Sequence, residues 1–237
     1  VLLEWIQQTW RYEANMRSGR IDHGSPWGGA IRNHFAQEFF DTLLTEVTFP
    51  AMSSDAASES AYLKVSMQPG RVKLIDGDEQ PLDDKFQGKQ LEWTKARFRL
   101  EMGGSVIKTK SVDSFSVKQH VKKLYTGRDR LPELVPAGLE ISNLAVTCNE
   151  ADAGYFIDWY KERLVKGSNE VQQDRTGALI FMSQDGDDLF EVTLENVGLY
   201  NLTMDKAVAG AQEVKKVKAG LYVERLDLKF KTTFFET

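Results

Sequence analysis

Asp185–Phe230, DGDDLFEVTLENVGLYNLTMDKAVAGAQEVKKVKAGLYVERLDLKF, reads as a turn, a strand, an excursion of small residues and a second strand. The turn is DGDD, where Gly and Asp supply the special backbone angles. Two long strands joined this way make an antiparallel unit and predict a mainly β chain. No catalytic constellation lies within the stretch.

A fainter copy precedes it. LFEVTLENVGLY (189–200) aligns with FFDTLLTEVTFP (39–50), setting Val197 on Val47. AGLYVERLDLKF (219–230) aligns with AYLKVSMQPGRV (61–72), setting Leu221 on Leu63 and Val223 on Val65. FIDWYKERLV (156–165) aligns with LLEWIQQTWR (2–11), setting Trp159 on Trp5. Three matches in one order, each helix–loop–strand–excursion–strand, predict a duplication. The first copy has no counterpart of 93–148. The apolar pattern is already under way at Val1, so sequence upstream is expected. The expected organisation is a partial first domain over 1–75, a linker over 76–90 (acidic, with Gly and Pro) and a complete second domain over 91–237.

Leu2, Leu3, Ile6 and Trp10 share one helical face. Ser18–His34, rich in Gly, Ser and Pro, reads as a loop, and Gly28-Gly29 in it lacks the strand and third glycine of a nucleotide fingerprint. Phe39–Phe49 reads as a strand that Pro50 ends. Tyr62–Met67 alternates as a half-buried strand, continuing past Pro69 through Val72 and Leu74 with a bulge or edge position at the proline. From Trp93 to Met102, Ala96, Phe98, Leu100 and Met102 point one way and Lys95, Arg97, Arg99 and Glu101 the other, and Gly103-Gly104 then marks a hairpin. Ser111–Gln119 is the return strand or its continuation. His120–Arg130 is a basic run (His120, Lys122, Lys123, Arg128, Arg130), suited either to a solvated tip or to an acidic partner. Pro132 and Pro136 bracket a turn, and Leu139–Cys148 is a further strand. Asn149 is placed as N-cap of a helix over 151–165 whose inner side carries Phe156, Trp159, Tyr160 and Leu164.

The totals exclude several classes. Among 237 residues the net charge is −5, which argues against a general nucleic-acid coat. The single Cys148 excludes an internal disulfide and a thiolate zinc site, and suits a reducing compartment. No apolar run approaches the ~20 residues of a membrane span. The three histidines are scattered, and neither a serine elbow nor a phosphate loop is present. Asp76, Asp78 and Glu79 lack the spacing of a calcium loop. The expectation is therefore no enzyme, no cofactor and no metal.

Several phrases resemble the T4-type phage tail tube protein family over residues 93–235: FRLEMGG (98–104), SVDSFSVKQ (111–119), EADAGYFIDWYKERLVKG (150–167), LFEVTLENVGLYNLTMDKA (189–207) and VKKVKAGLYVERL (214–226). The resemblance implies a mainly β (α+β) fold of two tandem tube-type antiparallel barrel or sandwich domains, each with a flanking helix. It implies a virion or injection-particle subunit assembled in the bacterial cytoplasm, whose rings stack around a channel carrying DNA or an effector. Partners would be further copies of the chain, in threes or sixes, and tube, sheath or baseplate proteins, with no membrane. A trimeric pseudo-six-fold hub is the alternative, and a monomeric ligand-binding barrel a remoter one. Stacking contacts are expected in the excursions, at Ser53, Ser54 and Asp55 and at Ala207, Val208, Ala209, Gly210, Ala211 and Gln212. Lumen-facing positions are expected among Arg97, Arg99, Glu101, Lys229 and Lys231.

Overall fold

A computed structural model describes residues 2–13, 16–27, 30–78, 80–82, 93–127, 131–166, 175–205 and 214–230. In chain order these form α1 (Leu2–Trp10), β1 (Arg17–Trp27), β2 (Ala30–Phe49), β3 (Met52–Ser53), β4 (Lys64–Gln68), β5 (Arg71–Asp76), β6 (Phe98–Met102), β7 (Ser105–Ile107), β8 (Ser111–Val112), β9 (Phe115–Leu124), β10 (Glu133–Ile141), β11 (Leu144–Asn149), α2 (Gly154–Lys166), β12 (Arg175–Met182), β13 (Asp188–Met204) and β14 (Lys216–Phe230). The chain is mainly β and antiparallel throughout.

One sheet runs β1-β2-β9-β10, with β4 and β5 on the other edge of β2. The second runs β3-β8-β11-β14-β13-β12-β6-β7. A shared ladder joins them. β2 pairs with β9 up to Phe49↔Phe115, and two residues beyond Pro50 the same chains pair again as Met52↔Val112 in the second sheet. Pro50 cannot donate to a ladder, so both chains bend there and pass from sheet to sheet, forming a corner of the sandwich. The opening stretch folds as its pattern predicts: β13 and β14 pair from Phe190↔Phe230 to Met204↔Val217. The DGDD turn closes through Ser183, with Gly186 at φ +92°. Gly103 and Gly104, both at positive φ, make the expected tight hairpin of β6 and β7.

A single buried cluster fills the space between the sheets. It takes Trp5, Ile6 and Trp10 from α1, Val47 and Phe49 from β2, Val117 from β9 and Leu194, Val197, Leu221 and Leu228 from β13 and β14. Phe156 and Trp159 of α2 are fully buried in it and Tyr160 packs against it; Leu164's side chain is outside the described residues. α1 lies along the stretch of β14 beyond its pairing with β11. There Gln7 donates to the Leu228 carbonyl, and the Arg11 guanidinium forks onto Asp227 at 2.8 and 3.0 Å.

Several sequence expectations change. The strand returning from Gly103-Gly104 is Ser105–Ile107, and the one expected over 111–119 is two, Ser111–Val112 and Phe115–Leu124, neither paired with β6. Ser18–His34 is not a loop: it is β1, the turn and the start of β2. Composition misled because β1 is an edge strand, where Pro26 costs no ladder bond, and because Gly19 lets the Phe39 ring lie flat across it. Pro136 likewise sits within edge strand β10 at a bulge, with Gly138 at φ +139°. The strand expected over 139–148 is two, broken where Ser142 exchanges hydrogen bonds with Ser116. Asn149 makes no side-chain cap bond, because it ends β11 opposite Lys216; a 3-10 turn over Glu150–Asp152 intervenes and α2 begins at Gly154. The continuation past Pro69 is as expected, β4 and β5 being one line of pairing to β2 bent at Gly70. Of the linker 76–90, Asp76 closes β5 and Leu82 bonds Ile31, while Glu79 and 83–90 lie outside the described residues.

Candidate assembly surfaces

The outer face of β6-β12-β13-β14 is a charged lattice. Register sets Arg99, Ile180, Glu191 and Lys229 in one row and Glu101, Ala178, Thr193 and Asp227 in the next. Alternation requires this, since Leu100, Leu179, Val192 and Leu228 between them are wholly buried. Arg99 reaches Glu101 at 2.8 Å and Asp188 at 3.2 Å, and Lys229 reaches Glu191 at 3.3 Å. Arg11 binds Asp227 and Arg225 binds Glu195. The hydrogen bond to Glu101, with Asp188 added, holds the Arg99 guanidinium above its ordinary pKa against partial desolvation. Each pair is partly exposed, so water screens it and it adds little to stability. Their effect is to leave a face nearly neutral and wetted.

Of the lumen candidates, Arg99, Glu101 and Lys229 thus come together on one face. Arg97 stands just ahead of β6, its N–H on Thr94 and its carbonyl taken by Met182. Lys231 lies outside the described residues.

The excursion at 51–60 is fastened to its surroundings. Ser53 N–H donates to the Lys95 carbonyl, Ser54 N–H to that of Lys110, and Asp55 pairs with Lys110. The other excursion is closed at its neck by Asp205 and Lys216, each backbone N–H bonded to the other residue. Ala207, Val208, Ala209, Gly210, Ala211 and Gln212 lie outside the described residues.

Two projections escape sequence reasoning. One is a three-stranded arm, β1-β2-β5, in which Trp27 pairs with Ala30 across Gly28-Gly29, a pair outside the described residues. Eleven residues of β1 give it a length of about 36 Å. The alternation of Ile21 and His23 with Arg20 and Asp22 was the available signal. The other is the outer part of the β9–β10 hairpin, which carries the described part of the basic run; Arg128 and Arg130 are not described.

Among the described residues no group of three His, Cys, Asp or Glu converges that could hold a metal ion. His23 stacks on Phe35 at 4.1 Å, and His120 pairs with Glu140 at 2.8 Å. No described helix is long and apolar enough to cross a membrane.

Cys148 is wholly buried, and that burial, with a smaller push from Asp152, raises its thiol to about 11 despite the Thr109 hydroxyl. A raised acid favours its neutral form, so its contribution is intact below the unfolded value near 9. It is lost as pH climbs towards 11, where ionisation of the unfolded chain alone withdraws about 2–3 kcal/mol. Urea melts of wild type and Cys148→Ala at pH 7 to 11 should show their difference in stability shrinking across that window. A constant difference would refute the assignment.

No protein-family model and no curated protein matches the chain. Among solved structures, it is similar to the tube-terminating cap of the anti-feeding prophage (TM-score 0.48, 12% identity, covering 65% of this chain and 98% of that one). It is also similar to a chain of the anti-feeding prophage baseplate (TM-score 0.47, 12% identity, 56% and 93%). A third likeness is to Hcp1 from Flavobacterium johnsoniae (TM-score 0.39, 11% identity, 57% and 96%). At these scores the likenesses carry no argument about function.

Proposed function

We propose that the chain is a structural subunit that closes into rings stacked around a channel, in a phage tail or contractile injection particle. One observation carries the reading. The tube-family phrases, scattered over 98–226 in sequence, fall on β6, β9, α2, β13 and β14, and three of these strands, with β12, make the lattice of Arg99, Glu101 and Lys229. A sheet with one face in the core and the other paired and wetted suits a water-filled lumen that neither grips nor repels a passing cargo. Sheath and baseplate proteins are then its neighbours, and the particle is assembled in the bacterial cytoplasm.

A second reading, a trimeric hub in which each chain takes two positions of a pseudo-six-fold ring, draws on a different observation. The aligned residues of the two sequence copies are register partners in both: Val47 pairs with Val65, and Val197 with Val223. Trp5 and Trp159, also aligned, are each buried on a helix that packs against this core. This supports a duplication with 1–75 and 91–237 as its halves.

Negative-stain class averages of the purified protein test both readings, six-fold rings supporting the first and three-fold rings the second. Monomers under every condition would sink both. Deleting Ala207–Gln212 should leave rings that no longer stack, measured as loss of tubes at unchanged ring yield. Tubes of normal length would remove that excursion as the joint.

A further inference from the structure

The β1-β2-β5 arm meets the rest of the chain along a transverse crease. On one flank of β2, pairing with β1 runs from Arg17↔Thr42 to Gly19↔Phe39, so Ser18 faces two residues, Phe40 and Asp41. On the other flank, pairing with β5 stops at Phe40↔Arg71 and pairing with β4 starts at Leu43↔Gln68. Both ladders are thus interrupted at the same level of one 20-residue strand. Little bridges the interruption. The Asp41 N–H donates to the Ser18 hydroxyl at 3.3 Å, and the Gly70 N–H is shared between the Phe40 and Asp41 carbonyls at 3.0 and 3.3 Å. Asp41 itself sits at φ +51°, a left-handed conformation that strains a non-glycine residue. Asn196 of β13 has φ +52° as well, but there β14 pairs in unbroken register on either side of it, at Glu195↔Arg225 and Val197↔Val223. A bulge beside an intact ladder fixes a bend; with both flanks interrupted the bend is free to open and close.

Polar bonds divide at the same line. On the body side, Arg17 is fixed to α1: it donates to Gln8 at 3.0 Å, pairs with Glu4 at 3.5 Å and lies over the Trp5 ring. Beyond the crease the arm bonds to itself. Arg20 holds Asp22 at 2.7 Å, Asn33 donates to Asp22 and Asp78, and Arg71 lies 4.4 Å over the Phe40 ring. Among the described residues β1 and β5 pair only with β2. There is also room to move. A cleft of about 750 Å3 opens beside the crease, between Met16, Asp41 and Arg71 on one wall and Leu131, Glu133 and Leu134, at the entry to β10, on the other.

We propose that the arm is hinged on the body at Ser18, Asp41 and Gly70, and swings there as one piece to narrow the cleft against the β9–β10 hairpin of its own chain. The hinge residues are few and take up the change in backbone angles, while the sheet on each side keeps its register. Gly19 to Trp27 spans about 30 Å, so a turn of about 10° carries the far end of the arm through about 5 Å. The hinge belongs to the single chain, whatever assembly that chain enters.

Nitroxide pairs on the full chain test it by double electron–electron resonance, with the labelled protein diluted in unlabelled chain so that distances within one molecule are read. Cys148 is buried and stays unlabelled. Pro26→Cys with Lys73→Cys reports within the arm, Lys161→Cys with Glu224→Cys within the body, and Pro26→Cys with Lys161→Cys between the two; all four positions are exposed. The first two distance distributions should be narrow and the third at least about twice as broad. Asp41→Val, whose β-branched side chain disfavours positive φ, should shift the third distribution and leave the first two where they are. A third distribution as narrow as the others overturns the hinge, and that comparison decides even if the Asp41→Val chain does not fold. A broad third distribution that Asp41→Val leaves unmoved puts the motion elsewhere and overturns it too.

Discussion

Replacing Phe49 with alanine is expected to lower stability by about 3–5 kcal/mol and the melting temperature by about 10 °C, with both sheets lost in one transition. Phe49 is 1% exposed and sits where the chain leaves one sheet for the other. Its ring stacks on Phe115, its register partner, at 4.6 Å, lies 5.6 Å from Phe181 of the second sheet and meets Trp10 of α1 at 6.2 Å. Phe181 stacks in turn on Phe190, and both take the edge of Trp93. Removing Phe49 opens a cavity at a place that touches α1, β9 and β12 together, and a side chain of that size cannot be replaced by collapse of a β corner. Circular dichroism for the sheets and tryptophan fluorescence for Trp10 and Trp93 should move together. Two separated transitions would show that the sheets stabilise themselves independently and that Phe49 is not their link.

What the sequence made legible follows from where period and punctuation agree. β13, β14, the DGDD turn and the Gly103-Gly104 hairpin were readable because alternation of buried and charged residues beside each turn leads up to glycines at positive φ. Arg99 and Glu101 could be placed on one side of their strand by parity alone, but not on the same face as Lys229 or beside Glu191 and Asp188, since strand order is a tertiary fact. The arm was unreadable for the opposite reason. Its strand β1 lies at an edge, where Gly19, Gly24 and Pro26 are tolerated, and composition there looks like a loop. Asn149 failed as a side-chain cap because pairing with Lys216 fixed it first. Turn and cap preferences are local energies of about 1 kcal/mol, and a ladder of several bonds outweighs them.

Gly177→Val should be among the most damaging single changes on the second sheet, costing about 3 kcal/mol or more, whereas Gly154→Ala should be neutral or stabilise by up to about 1 kcal/mol. Both are glycines near the core, and composition does not separate them. Gly177 lies in β12 between Met102 of β6 and Leu194 of β13. A Cβ there would come within 2.7 Å of the Glu101 carbonyl oxygen and into the Met102 sulfur. Methionine can turn aside; a carbonyl held in the β6–β12 ladder cannot, so β6 must move outward. That movement carries Arg99 and Glu101 with it, and the Arg99 bond to Asp188 of β13 is stretched as a consequence. Gly154, the first residue of α2, has open space where its Cβ would stand, so alanine there only restricts the unfolded chain. Thermal melts should therefore move in opposite directions for the two variants. Equal and small effects would mean that β6 yields readily, and with it the rigidity that the charged lattice needs to present a fixed face.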